Sequence, residues 1–203
     1  METLTHPSSA IDTIIKITKD QERFWSNSRG WAPDSVADIL ADARLDRQLS
    51  FTHTLRDYLD PFPPAATEAR QILGYTTLRS LCEGALKLFF SVYYEDYRKD
   101  QDAVYNKKQH LVSPESIQFN ELIDLFVKKG EATFEPLLRR IQQRGNAIHH
   151  FRDRDIGTQA ELIADIVEFK KFVLAVNDRL PYSCSAIPSF YRTENVALNA
   201  RDC

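Results

Sequence analysis

Residues 158–181, TQAELIADIVEFKKFVLAVNDRLP, decide the fold class. Thr158 followed three residues later by Glu161 is a capping box, the reciprocal side-chain and backbone pairing that starts a helix. Leu162, Ile166, Phe169, Val173, Val176 and Leu180 then recur at alternating steps of four and three, which puts one continuous apolar stripe on that helix. Pro181 closes it. A stripe this regular must be buried against other helices.

The chain upstream supplies them. Phe134, Leu137, Leu138 and Ile141 mark a helix over roughly 133–143, and Ser113-Pro114-Glu115 opens an earlier one that Gly130 stops. The longest helix is expected from Ala65 to about Tyr97, where Ile72, Leu73, Leu81, Cys82, Ala85, Leu86, Leu88, Phe89, Val92 and Tyr93 are apolar on more than one face. A helix of that kind belongs at the centre of a bundle or at a dimer surface, so a homodimer is expected. Asp34 caps a further helix through Val36, Ile39, Leu40 and Ala43, running on past Leu55 and Leu59 to the stop at Pro61-Phe62-Pro63-Pro64. Residues 98–110 read as a loop, and no alternating strand pattern runs long enough to mark a strand. The expected architecture is all-α, an antiparallel helical bundle over 63–182 with an N-terminal helical extension (1–62) and an irregular tail (183–203).

Composition narrows the function. The 203 residues carry a formal charge of −3 and six glycines, which disfavours a global nucleic-acid surface and glycine-lined nucleotide folds. Cys82, Cys184 and Cys203 are too scattered for a disulfide framework or a metal half-site, so no metal or cofactor is expected. Residues 1–10 lack a secretion signal, and Arg79, Glu83 and Lys87 interrupt the most apolar tract. A cytoplasmic protein without a membrane span is the expectation. Glu83 needs a polar partner if buried, and Cys82 beside it reads as core.

Phosphate loops, nucleophile elbows and paired zinc-histidine signatures are missing. One dense segment, 139–155, holds five arginines against two aspartates, together with His149 and His150. Such a local cationic excess in an acidic chain suits an anion such as RNA, with Arg139, Arg140, Arg152 and Arg154 as the binding arginines. Three other readings stay open. Arg144 can end a helix while a histidine packs in the bundle. His149, His150, Asp153 and Asp155 can hold a metal. Trp25, Trp31, Tyr93, Tyr94 and Tyr97 can stack bases, or serve as core or dimer aromatics.

Arg144-Gly145-Asn146-Ala147-Ile148-His149 resembles the R-x4-H motif of the HEPN superfamily of helical-bundle proteins. That resemblance covers about 65–181 and implies a metal-independent endoribonuclease of toxin–antitoxin or antiviral defence systems. His149 would be the acid/base, Arg144 the phosphate clamp and Asn146 a polar orienter. RNA cleavage would proceed by 2′-hydroxyl attack, in a site completed across a homodimer, with an antitoxin or defence-complex protein as partner. The sequence departs from the family at Gly145, a commonly polar position, and at Phe151, where one branch carries a modifiable tyrosine. Nucleotide attachment there, and a nucleotidyltransferase antitoxin, are therefore not expected. On one straight helix Arg144 and His149 would lie roughly 140° apart. Either Gly145 breaks the helix or the two side chains meet partners from a second subunit. If the pair is catalytic, replacing either residue removes activity without loss of stability. The alternative is a non-catalytic bundle that binds a protein partner or nucleotide.

Overall fold

The computed structural model describes residues 6–149 and 153–181. Within them the chain forms eight α-helices and no strand: α1 (Pro7–Trp25), α2 (Asp34–Asp42), α3 (Leu45–Thr54), α4 (Thr67–Val92), α5 (Tyr94–Tyr97), α6 (Phe119–Lys128), α7 (Glu135–Gly145) and α8 (Gln159–Arg179). The expected all-α bundle is the observed architecture. None of these helices is long and apolar enough to cross a membrane. The tail at 183–203 lies outside the described residues, as do His150, Phe151 and Arg152.

The hydrophobic pattern places α4 at the centre, and there it sits. It packs against α2, α3, α5, α6, α7 and α8. Tyr75, Leu78, Leu81, Cys82 and Leu86 are completely buried along it. Each such leucine contributes about 1.5–3 kcal/mol by leaving water. The several apolar faces of α4 are therefore largely covered by helices of its own chain, and Leu73 is its one large apolar side chain left exposed. Glu83 is partly exposed and pairs with Lys87 at 2.9 Å and Arg79 at 3.5 Å, one turn away on either side.

α8 follows its sequence pattern closely. Thr158 caps it through the expected box with Glu161, and Leu162, Ile166, Phe169, Val173, Val176 and Leu180 are all buried. Against it packs α1, whose Ala10, Ile11, Ile14, Thr18, Gln21 and Trp25 face inward at helical spacing. That face shares the core of the other helices, so the N-terminal segment is integral to the packing.

Two expected helices are interrupted. The one expected from Asp34 to Leu59 is divided at Ala43 and Arg44, where the backbone is non-helical, into α2 and α3. Its last turn, Leu55–Tyr58, is a 3₁₀ helix. The one expected to open at Ser113 makes only a 3₁₀ turn, Pro114–Ser116, before extended backbone at Ile117 and Gln118. Gln118 then caps α6 in a capping box with Glu121. Neither break contains a proline or glycine; each re-aims the chain so that the following apolar face meets the core.

Candidate functional site

The R-x4-H segment spans the end of α7 and the turn after it. Gly145 is the last residue of α7, and Asn146–His149 continues as a 3₁₀ turn. The glycine does not use the left-handed conformations open to it. A Cβ there would lie 2.8 Å from the Arg79 Cβ and Cδ and 3.0 Å from the Tyr75 carbonyl oxygen. Its role is close approach of α7 to α4, where the Thr76 hydroxyl, donating chiefly to the Ile72 carbonyl at 2.8 Å, also lies 3.4 Å from the Gly145 carbonyl.

That approach drives Arg144 into the bundle. Its side chain is 8% exposed. The guanidinium donates from Nε to Asp155 Oδ2 at 3.0 Å, from Nη1 to the Tyr75 hydroxyl at 2.7 Å and from Nη2 to Glu161 Oε1 at 2.8 Å. The Tyr75 hydroxyl in turn donates to Asp165 Oδ2 at 2.9 Å. Asp165 is almost fully buried and also accepts from Arg140, whose Nη2 reaches it at 2.6 Å. One connected network thus joins α4, α7 and α8 through the core.

The segment leading into α8 is folded over the guanidinium. Gly157 has φ +66°, and a Cβ there would fall 2.6 Å from Arg144 Nη1, so both conformation and space demand glycine. Asp155 Oδ1 accepts the Gly157 amide at 2.9 Å while its other oxygen holds Arg144. From α4, Gln71 pins the loop by donating to the carbonyls of Ile156 at 3.1 Å and Thr158 at 2.9 Å. Glu161 serves twice: one oxygen completes the Thr158 capping box and the other holds Arg144.

The electrostatics follow from these contacts. The Arg144 hydrogen bond, reinforced by Thr158, holds the Glu161 carboxyl down at about 2. Asp155 is lowered too, first by the Gly157 amide and then by Arg144. Burial opposes the charge of Arg144, but Glu161, Tyr75 and Asp155 outweigh it, so its pKa is raised. Burial, then the Asp165 charge, push the Tyr75 hydroxyl upward. In this arrangement Arg144 stays charged and Tyr75 stays protonated.

The other expected site residues are dispersed. Arg139 pairs with Asp124 and with Glu135 at 3.3 Å, and Arg140 pairs with Asp165 and with Glu168 at 3.0 Å. With Asp155, Glu161 and, at 3.9 Å, Asp165 on Arg144, at least two carboxylates therefore answer each arginine of α7. Asn146, within the motif, is partly buried, while His149 and Arg154 are exposed. Arg152 lies outside the described residues. Among the described residues no cluster of three or more His, Cys, Asp or Glu is placed to hold a metal ion. Of the aromatics considered for base stacking, Trp25 and Tyr97 are core residues, and Tyr93 and Tyr94 are half-buried against it.

Sequence reasoning missed Tyr75 and Asp165 and assigned Glu161 only its capping role. One signal was available. Asp165 falls between Leu162 and Ile166 on the inward face of α8, where a charge requires a buried partner. No protein-family model matches this chain, and no curated protein or solved structure matches it either.

Proposed function

We propose that this chain is a non-catalytic helical-bundle module that acts by binding, with Arg144 a structural keystone. The pairing of each α7 arginine with at least two carboxylates carries this reading. A phosphate gains affinity for a cationic surface by displacing loosely held counterions. Here the counter-charges are the protein's own side chains, fixed by caps and backbone, and an incoming phosphate would face their repulsion as well. Three of the five N–H donors of the fork that would clamp a scissile phosphate, one on each nitrogen, are already engaged with α4, α8 and the covering loop.

A labelled-RNA assay in EDTA, and again with Mg²⁺ or Mn²⁺, tests it. Wild type, Arg144→Ala and His149→Ala are expected to cleave no more than buffer does. Cleavage in EDTA that leaves 2′,3′-cyclic phosphate ends, and that well-folded His149→Ala lacks, would overturn the reading.

A second reading keeps the metal-independent endoribonuclease implied by the HEPN resemblance. The exposure of His149, with Ile148 beside it 44% exposed and Leu73 of the adjoining α4 49% exposed, favours it. His149 would act as acid/base from a surface that a second copy could complete, and Asp155 would have to leave Arg144 first. Light scattering that returns the monomer mass at micromolar protein would remove this composite site.

A further inference from the structure

Roughly 25 Å along α4 from Tyr75, the helix ends at Val92 in a different environment. Phe89, Phe90 and Tyr93 from that end, Tyr97 of α5 and Leu125 of α6 form the apolar lining of an open-sided cavity of about 320 Å³. This volume falls at the small end of ligand-binding pockets. The aromatic rings are packed on one another, with centroids 5.2 Å apart for Phe89 and Phe90, 5.1 Å for Phe89 and Tyr93 and 6.2 Å for Phe90 and Tyr97. They form a preorganised wall.

The polar groups of the lining are almost all engaged. The Tyr97 hydroxyl donates to the Val112 carbonyl at 2.8 Å and accepts the Val104 amide at 3.0 Å. The Tyr93 hydroxyl donates to the Arg179 carbonyl. Lys129 is paired with Asp100 at 2.5 Å. Arg179 is paired with Glu131 at 2.5 Å and lies over the Phe89 ring, 5.2 Å from its centroid. Both lining cations are thus neutralised by carboxylates. Asp96 is exposed in the lining, and its backbone is bonded within the turn, but its side-chain carboxylate has no hydrogen bond or ion pair among the described residues. What the cavity offers is aromatic surface and one uncompensated negative charge.

We propose that this cavity binds a small organic cation, an ammonium group carried on an apolar or aromatic body. The ring faces attract the cation through their quadrupoles, Asp96 supplies the counter-charge, and Leu125 with the phenylalanines covers the apolar part. Arg179 over Phe89 is the same interaction made within the chain. An anionic ligand would meet Asp96 with no free cation to balance it. The site is formed by residues other than the Arg144 network, so it stands whichever reading of that network holds.

The test is a titration of the full chain with benzyltrimethylammonium, benzyl alcohol and benzenesulfonate, followed by NMR at the Leu125 methyl groups. The cation is expected to saturate with an affinity about ten-fold above that of the sulfonate. Asp96→Asn is expected to weaken the cation about three-fold and leave benzyl alcohol unchanged. No saturable shift at Leu125 through the millimolar range, equal or tighter sulfonate binding, or an Asp96→Asn variant with unchanged cation affinity would each overturn the proposal.

Discussion

Arg144→Ala separates a structural arginine from a catalytic one through stability. The substitution removes a guanidinium that is 8% exposed and bonded to Asp155, Tyr75 and Glu161. Breaking a buried ion pair costs about 3–5 kcal/mol, because the partners are left uncompensated. Here the lower end applies. Asp155 and Glu161 are 59% and 50% exposed and can turn to water, and Asp165 keeps Arg140. A loss of about 3 kcal/mol lowers the melting temperature of a chain this size by roughly 6–12 °C. Arg144→Lys should recover only part of it, since one ammonium cannot reach three partners as the planar fork does. His149→Ala, at an exposed position, should stay within about 0.5 kcal/mol of wild type. Differential scanning calorimetry on the three variants reads these values. An Arg144→Ala protein that melts within about 2 °C of wild type would refute the keystone argument. On this reasoning the expectation drawn from the motif alone, that both replacements spare stability, should hold for His149 and fail for Arg144.

Gly145→Ala should destabilise by about 1–3 kcal/mol by pressing a methyl group onto Arg79 and the Tyr75 carbonyl, and urea unfolding measures it. Gly157→Ala should destabilise as well, since it meets both a left-handed φ and the Arg144 guanidinium; an unchanged urea midpoint would refute the covering-loop geometry. Acid should weaken the fold through the carboxylates on Arg144. The folded-state pKa of Glu161, about 2, lies below its ordinary 4.5, so its contribution is present above pH ~4.5 and is lost as pH falls towards ~2. Glu161→Gln, followed by thermal melts from pH 6 to pH 2, should show a shallower loss than wild type across that window.

The features legible along the chain are those whose causes lie within one or two helical turns. The Thr158–Glu161 capping box, the stripe from Leu162 to Leu180 and the stop at Gly130 each depend on neighbours three or four residues away, and the structure shows them where the sequence places them. The central position of α4 was legible too, because apolar residues all round a helix leave no face for water. The break at Ala43 was not, because no local residue dictates it and only the fit of α2 and α3 onto the core does; the break at Ile117 had a local mark, the Gln118–Glu121 box that opens α6, but glutamine is a weak capping signal.

The same division runs through the candidate site. The sequence displays Arg144 and His149 five residues apart, with a cluster of positive charge around them, and that is as far as spacing reaches. Tyr75 comes to Arg144 from 69 residues away and Glu161 from 17, and Asp124 reaches Arg139 from 15. Counted along the chain, residues 139–155 are cationic; counted in space, the arginines of α7 are outnumbered by the carboxylates that hold them. Tertiary packing alone decided that outcome. Electrostatic energy depends on distance through space, and a guanidinium driven into a helical core must find its counter-charges on whichever helices the packing brings beside it.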